Sequence, residues 1–263
     1  MAQFTRPNGV PISGGLTLHA GNKLSLRLIA DPAEKNPFKL ASTAPLLAQV
    51  AGPNPIGKGP SLQFVLSARG VGSTTISAST STTQGTSKPC AILTLVIEPR
   101  IELPDLREES GAVARLLLAE TRSPWASGYD AGEATQAMKW MKLVLANRLR
   151  NNPAQFRAAS ATSLVHIIKA PGQFEGFAGY PKLSDTIRKN VADILEIANN
   201  DAHSKQAAFA DHVRSAIAVA NEAPIGDPCP TKLYGWRTKG SGSPGTRFEL
   251  FKSVGGNDFY TLK

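Results

Sequence analysis

Val113, Leu116, Leu117 and Glu120 follow the spacing i, i+3, i+4, i+7, so a helix through them carries one carboxylate on an otherwise apolar face. An acid on such a face loses water, and desolvation raises its pKa. A Glu that stays protonated near neutral pH can act as a general acid. The helix is expected to end just beyond it, because Ser123 precedes Pro124 and is biased away from helical geometry. The same residue also fits a structural acid paired with Arg122 or Arg148, or one frayed into solvent at the helix end.

Other chemistries find less support. There is no glycine-rich phosphate loop ending in Lys-Ser/Thr. The histidines are His19, His166, His203 and His212, and none forms a His-Glu-x-x-His element, so neither a metal nor a cofactor is expected. His203 and His212 fall on or near an amphipathic helix, where the solvated side is expected. Cys90 and Cys229 make neither a disulfide framework nor a zinc spacing, and read as buried thiols rather than one long-range disulfide. Cys229 lies in Asp227-Pro228-Cys229-Pro230, with no helix N-terminus to activate it, which disfavours a Cys-His peptidase.

The 29 basic residues outnumber the 20 acidic ones, for a net charge of +9. That balance suits an anionic partner: nucleic acid, acidic lipid or bacterial cell wall. Nucleic acid is the weakest of these, because the basic residues are scattered and aromatics are only 6%, too few for base stacking. No apolar run is long enough to span a bilayer, so membrane insertion is not expected.

These residues must be positioned by elements of two kinds. The length of 263 residues predicts two domains, 1–103 and 104–263, joined at Glu98-Pro99-Arg100-Ile101-Glu102-Leu103-Pro104. The first reads as short strands at Leu16–His19, Lys23–Leu28, Leu62–Leu66, Thr74–Ala78 and Ala91–Ile97, where apolar and polar residues largely alternate. Turn signals at Gly14-Gly15, Gly21-Asn22, Asp31-Pro32, Gly52-Pro53-Asn54-Pro55 and Gly70-Val71-Gly72 separate them, and 79–87 reads as an exposed hairpin tip. This grammar predicts a small β-sandwich. From Asp105 the period becomes helical: over 106–120, on Ala134, Met138, Met141, Leu145 and Leu149, around 164–168, from Ser184 through Ala198, and over 204–221. The tail from Pro228 reads as loops with a hairpin on the helices.

Ala119-Glu120-Thr121-Arg122 at the end of an apolar helix, Val144-Leu145-Ala146-Asn147-Arg148 at the end of the next, and the loop Pro171-Gly172-Gln173-Phe174 resemble, in that order, elements of the SleB-like cell wall hydrolases, the spore-cortex-lytic enzyme family. Gly255-Gly256-Asn257-Asp258-Phe259-Tyr260 is similar to the family's closing element, with Asn257-Asp258 where the family tends to have His. The resemblance covers residues 106 to 260, and the helices between Tyr180 and Glu222 do not align. Gly70–Ala78 and Leu16–Leu26 more weakly resemble bacterial Ig-like modules. Together the resemblances imply an all-β Ig-like sandwich followed by a mainly α, lysozyme-like (α+β) domain that cuts the glycan strand of peptidoglycan.

Glu120 is then the catalytic acid/base. Family members act largely as lytic transglycosylases, in which one carboxyl group suffices; Asp130, Glu133 and Glu175 are the candidate second carboxylates of a hydrolase. A sugar cleft needs hydrogen-bonding side chains and aromatic faces. Thr121, Asn147, Gln173, Phe174, Phe177, Tyr180, Tyr234 and Tyr260 are the candidates for substrate binding. Trp236 is a further aromatic able to stack on sugar, although aromatics in so sparse a tail are more often core anchors; Phe259 reads as such an anchor, and Arg148 as structural. A wall-cutting domain behind an N-terminus without a basic-then-apolar leader predicts an antibacterial effector delivered by a contact-dependent apparatus such as type VI secretion, with an immunity protein and a secretion component as partners. A phage-type endolysin, a peptide-cleaving enzyme, and a non-enzymatic wall- or protein-binding module are the alternatives.

Overall fold

The computed structural model of the chain describes residues 2–30, 38–51, 61–80, 88–151 and 153–263. The turn signals at Asp31-Pro32 and Gly52-Pro53-Asn54-Pro55, and residues 81–87 of the expected hairpin tip 79–87, lie outside these residues, while Ser79 and Thr80 belong to a strand. Contacts divide the chain into two units, residues 1–100 with 199–204 and residues 101–198 with 205–263.

In the first unit, alternation makes strands: β1 (Gln3–Thr5), β2 (Leu16–His19), β3 (Lys23–Ile29), β4 (Phe38–Ser42), β5 (Ala48–Ala51), β6 (Ser61–Ala68), β7 (Gly72–Thr80) and β8 (Lys88–Glu98). They form two four-stranded sheets, β1-β3-β6-β5 and β2-β8-β7-β4. The period of two is visible in burial. Leu24, Leu26 and Leu28 of β3, Leu62, Phe64 and Leu66 of β6, and Leu93, Leu95 and Ile97 of β8 point into one apolar core. Thr and Ser residues fill the outer face of β7. The segment 199–204 groups with this unit, where Asp201 accepts hydrogen bonds from the His19 backbone at 2.6 Å and the Asn22 amide at 2.6 Å.

The second unit has five α-helices: α1 (Glu109–Glu120), α2 (Ala131–Arg150), α3 (Leu164–Lys169), α4 (Asp185–Ala198) and α5 (Gln206–Asn221), with a 3-10 turn at Pro153–Phe156. Helix α2 starts where the Asp130 carboxylate caps the Glu133 backbone N–H. At the end of α5 the buried Lys142 ammonium of α2 donates to the Val219, Ala220 and Glu222 carbonyls, which the helix itself leaves unpaired. Three strands follow, β9 (Gly235–Thr238), β10 (Phe248–Val254) and β11 (Asn257–Leu262), in the order β10-β11-β9.

The predicted fold class requires correction. The described residues form a mixed α/β protein with eleven strands in three sheets and five α-helices, not a clear Ig-like sandwich followed by a helical domain. In the first unit, β2 pairs in parallel with β8, Leu16 opposite Leu95, and β1, β4 and β5 add strands that the alternation did not announce. In the second unit, the tail forms a sheet of its own. Gly255 and Gly256 take positive φ angles of 56° and 78°, the geometry of a two-residue hairpin turn that non-glycine residues adopt at a cost. Phe259 of β11 and Phe251 of β10 then pack against Trp140 of α2, with ring centroids 5.1 and 5.8 Å away. The Gly-Gly-Asn-Asp-Phe-Tyr element is this turn and its return strand.

Candidate active site

Helix α1 buries Val113, Leu116 and Leu117 completely and ends on Glu120; Thr121 is already extended. Glu120 is half-buried at that end. Its Oε2 accepts a hydrogen bond from the indole Nε1–H of Trp236, on β9, at 3.1 Å. Burial pushes the Glu120 carboxyl above the usual Glu range, the Trp236 hydrogen bond opposes that rise, and the negative charge of Glu175 adds to it. Oε1 has no hydrogen-bond partner among the described residues. The group is thus a carboxyl whose pKa burial raises, held through one oxygen by the Trp236 indole.

Trp236 also faces a second feature. Its ring stacks on Phe174, 5.1 Å between centroids and 25° between planes, and lines an open cleft of about 440 Å³. Arg148, Phe156, Gln173, Arg237, Arg247 and Phe248 line the same cleft. The volume is in the range of small-ligand sites. Arg148, on α2, is buried; its Nε donates to the Tyr234 carbonyl at 2.8 Å and its Nη1 to Gln173 Oε1 at 2.9 Å. Its guanidinium lies over Phe156 at 4.7 Å and near Phe174 and Trp236 at 5.5 and 5.9 Å, within cation–π range. Burial brings its pKa down to about 10, which still leaves it charged at neutral pH.

The sequence-predicted residues divide sharply. Gln173 and Phe174 reach the site. Glu175 lies in the same loop, and its charge is felt by Glu120, whereas the Asp130 carboxylate caps α2 through the Glu133 backbone N–H. Thr121, a substrate-binding candidate, is buried with Oγ1 on Met141 Sδ at 3.5 Å. Asn147 is a brace, donating to Asp227 Oδ2 at 2.6 Å and to the Leu233 carbonyl at 2.9 Å. Phe177 is wholly buried, and the buried Tyr180 stacks on it, so neither presents a face to a sugar. Tyr234 stacks on Phe156, and the Tyr260 hydroxyl donates to the Gly242 carbonyl at 3.0 Å; both support cleft residues from behind. His212, expected on a solvated face, is buried with Nδ1 on the Tyr129 hydroxyl at 3.2 Å. Neither cysteine is in a disulfide, and Cys90 is half-buried where a buried thiol was expected. Among the described residues, no helix is long and apolar enough to cross a membrane.

Trp236, Arg148, Arg237 and Arg247 were not predicted as site residues. Trp236 and Arg148 carried a signal, the first as an aromatic weighed between sugar stacking and a core role, the second as a basic residue read as structural. Arg237 follows Trp236 on β9, and Arg247 immediately precedes β10, in a tail whose pairing periodicity does not reveal.

No protein-family model and no curated protein matches the chain. Solved structures match parts of it: domains 4 and 5 of the S-layer protein SbsC (18% identity, 32% of this chain and 47% of that one, TM-score 0.26) and the SrpA adhesin R347E mutant from Streptococcus sanguinis (8% identity, 40% of this chain and 62% of that one, TM-score 0.26). The chain spans less than half the length of the S-layer structures it matches.

Proposed function

We propose that this protein cleaves the glycan strand of peptidoglycan, with Glu120 as its acid/base. One observation carries the reading: a half-buried carboxyl with a raised pKa is held by the indole of Trp236, and that ring also lines an open cleft. Glu120 gives its proton to the glycosidic oxygen as the bond to the anomeric carbon breaks. The resulting carboxylate then takes the proton of the muramic-acid C6 hydroxyl while that oxygen attacks the anomeric carbon, and a 1,6-anhydro sugar leaves. Proton and electron pairs balance without a second carboxylate.

The influence of Glu175 on Glu120 favours one variant, in which Glu175 as the second carboxylate directs water to the anomeric carbon and the product is a reducing sugar. Mass analysis of the soluble products from purified peptidoglycan separates the two. Anhydro-muropeptides made by the unmodified chain, and lost by about 10²- to 10⁴-fold in Glu120→Gln, are the expected result. Reducing ends that vanish in Glu175→Gln as well assign hydrolysis. No product from either protein overturns the reading in favour of a wall-binding module.

A further inference from the structure

The cleft that Trp236 lines, on the ring that also holds Glu120, is cationic in a specific way. Arg148, Arg237 and Arg247 line it, and no Asp or Glu does among the described residues. None of the three makes an ion pair among the described residues, where such pairs include His19–Asp201, Arg188–Asp185, Lys189–Asp193 and Arg214–Asp211. Arg148 is only 7% exposed. A buried charge without a counter-charge is costly, and here neutral groups alone offset it: the Tyr234 carbonyl, Gln173 Oε1 and the faces of Phe156, Phe174 and Trp236. Its Nη2 has no hydrogen-bond partner among the described residues. Arg237 and Arg247 are exposed at the same cleft. Planar guanidinium groups with unused donors match a carboxylate, which accepts two parallel N–H bonds.

We propose that this cleft is a carboxylate subsite that receives the stem-peptide carboxylates of a peptidoglycan strand while its glycan bond lies at Glu120. The proposal rests on the reading of Glu120 as the glycan-cleaving acid. It gives the chain a preference among walls: strands with free stem carboxylates bind, and strands whose stem carboxylates are amidated do not hold.

The test uses the full chain carrying Glu120→Gln, so that binding is measured without turnover. Calorimetry compares uncrosslinked disaccharide–tetrapeptide chains with free carboxylates against the same chains after chemical amidation. Amidation should weaken binding at least tenfold. Adding Arg237→Ala and Arg247→Ala, both at exposed positions, should bring the free chains down to the amidated level. Equal affinity for the two chains overturns the subsite, as does failure to bind either, or tighter binding of a phosphate polymer such as teichoic acid. Product release is scored separately with the unmodified chain. Equal cleavage of both chains removes the subsite and leaves Glu120 in its role, whereas carboxylate-selective binding with no products overturns the glycan-cleaving reading and keeps the subsite.

Discussion

The two units hold their interiors together by different means. The core of the first is built from aliphatic and aromatic side chains of eight strands, with Ser and Thr on the outer face of β7. The second also has an apolar core, but it admits charged and titratable groups: Glu120 at the end of α1, Lys142 and Arg148 on α2, and His212 on α5. Each sits where burial works against its charged form. Lys142 is explained by the helix end it caps, and Arg148 partly by the carbonyl and amide it joins. Glu120 is less fully accounted for, since a single indole N–H is its partner. Displaced titrations that structure alone does not account for gather at functional sites. The first unit buries a titratable pair too, His19 with Asp201 at 2.7 Å, but there each group has the other as its partner, so the contrast points to Glu120 of the second unit as the candidate functional group.

A cavity in the first unit's core gives the larger stability effect. Leu26 is fully buried between strand neighbours, so Leu26→Ala should cost about 2–5 kcal/mol. The loss should be the same at pH 4 and pH 7, because no titratable group joins that core cluster; a pH-dependent loss in chemical denaturation would break the distinction between the units. His212 tests the other side. Burial holds its imidazole down to about 4, against an ordinary 6.5. On acidification the unfolded chain takes up a proton that the folded one refuses. Stability contributed above pH 6.5 is therefore lost as pH falls toward 4, by roughly 3 kcal/mol for this one group. His212→Gln should flatten that slope. An unchanged slope would place the acid sensitivity elsewhere.

How much of this could be read from the residues differs by element. Glu120 was legible because four positions on one helix face suffice to place it, and Pro124 marks where the helix stops. Trp236 was not, since it meets Glu120 across 116 positions of sequence through a strand whose pairing no local pattern announces. The sheet that brings it there was hidden for a related reason: β10 carries a register shift between Leu250 and Lys252, which interrupts the alternation that reveals a strand. Helical periodicity ahead of a glycine-rich tail thus suggested a mainly helical domain where a mixed one exists. His212 was misread because α5 is so rich in alanine that its buried face is poorly marked. Phe177 and Tyr180 were placed on a cleft wall by their glycine-rich surroundings, yet large rings in such a loop serve as its anchors to the core.

The smallest effect bears most directly on Glu120. Its carboxyl is protonated in both folded and unfolded chains below the ordinary Glu range, and there it costs nothing. As pH rises, the unfolded chain ionises first, and the folded one follows only at its raised pKa. Stability present at acid pH is therefore lost as pH climbs through that window. Glu120→Gln removes the ionisation while its amide oxygen can still accept from the Trp236 indole. The variant should match the parent in acid and melt slightly higher at pH 7, even as its turnover falls. Such an exchange of stability for activity is what a functional acid in a desolvated place predicts. A variant that melts lower at pH 7 would show that the charged carboxylate holds Trp236 in place, and would make Glu120 a structural acid as settled as Lys142.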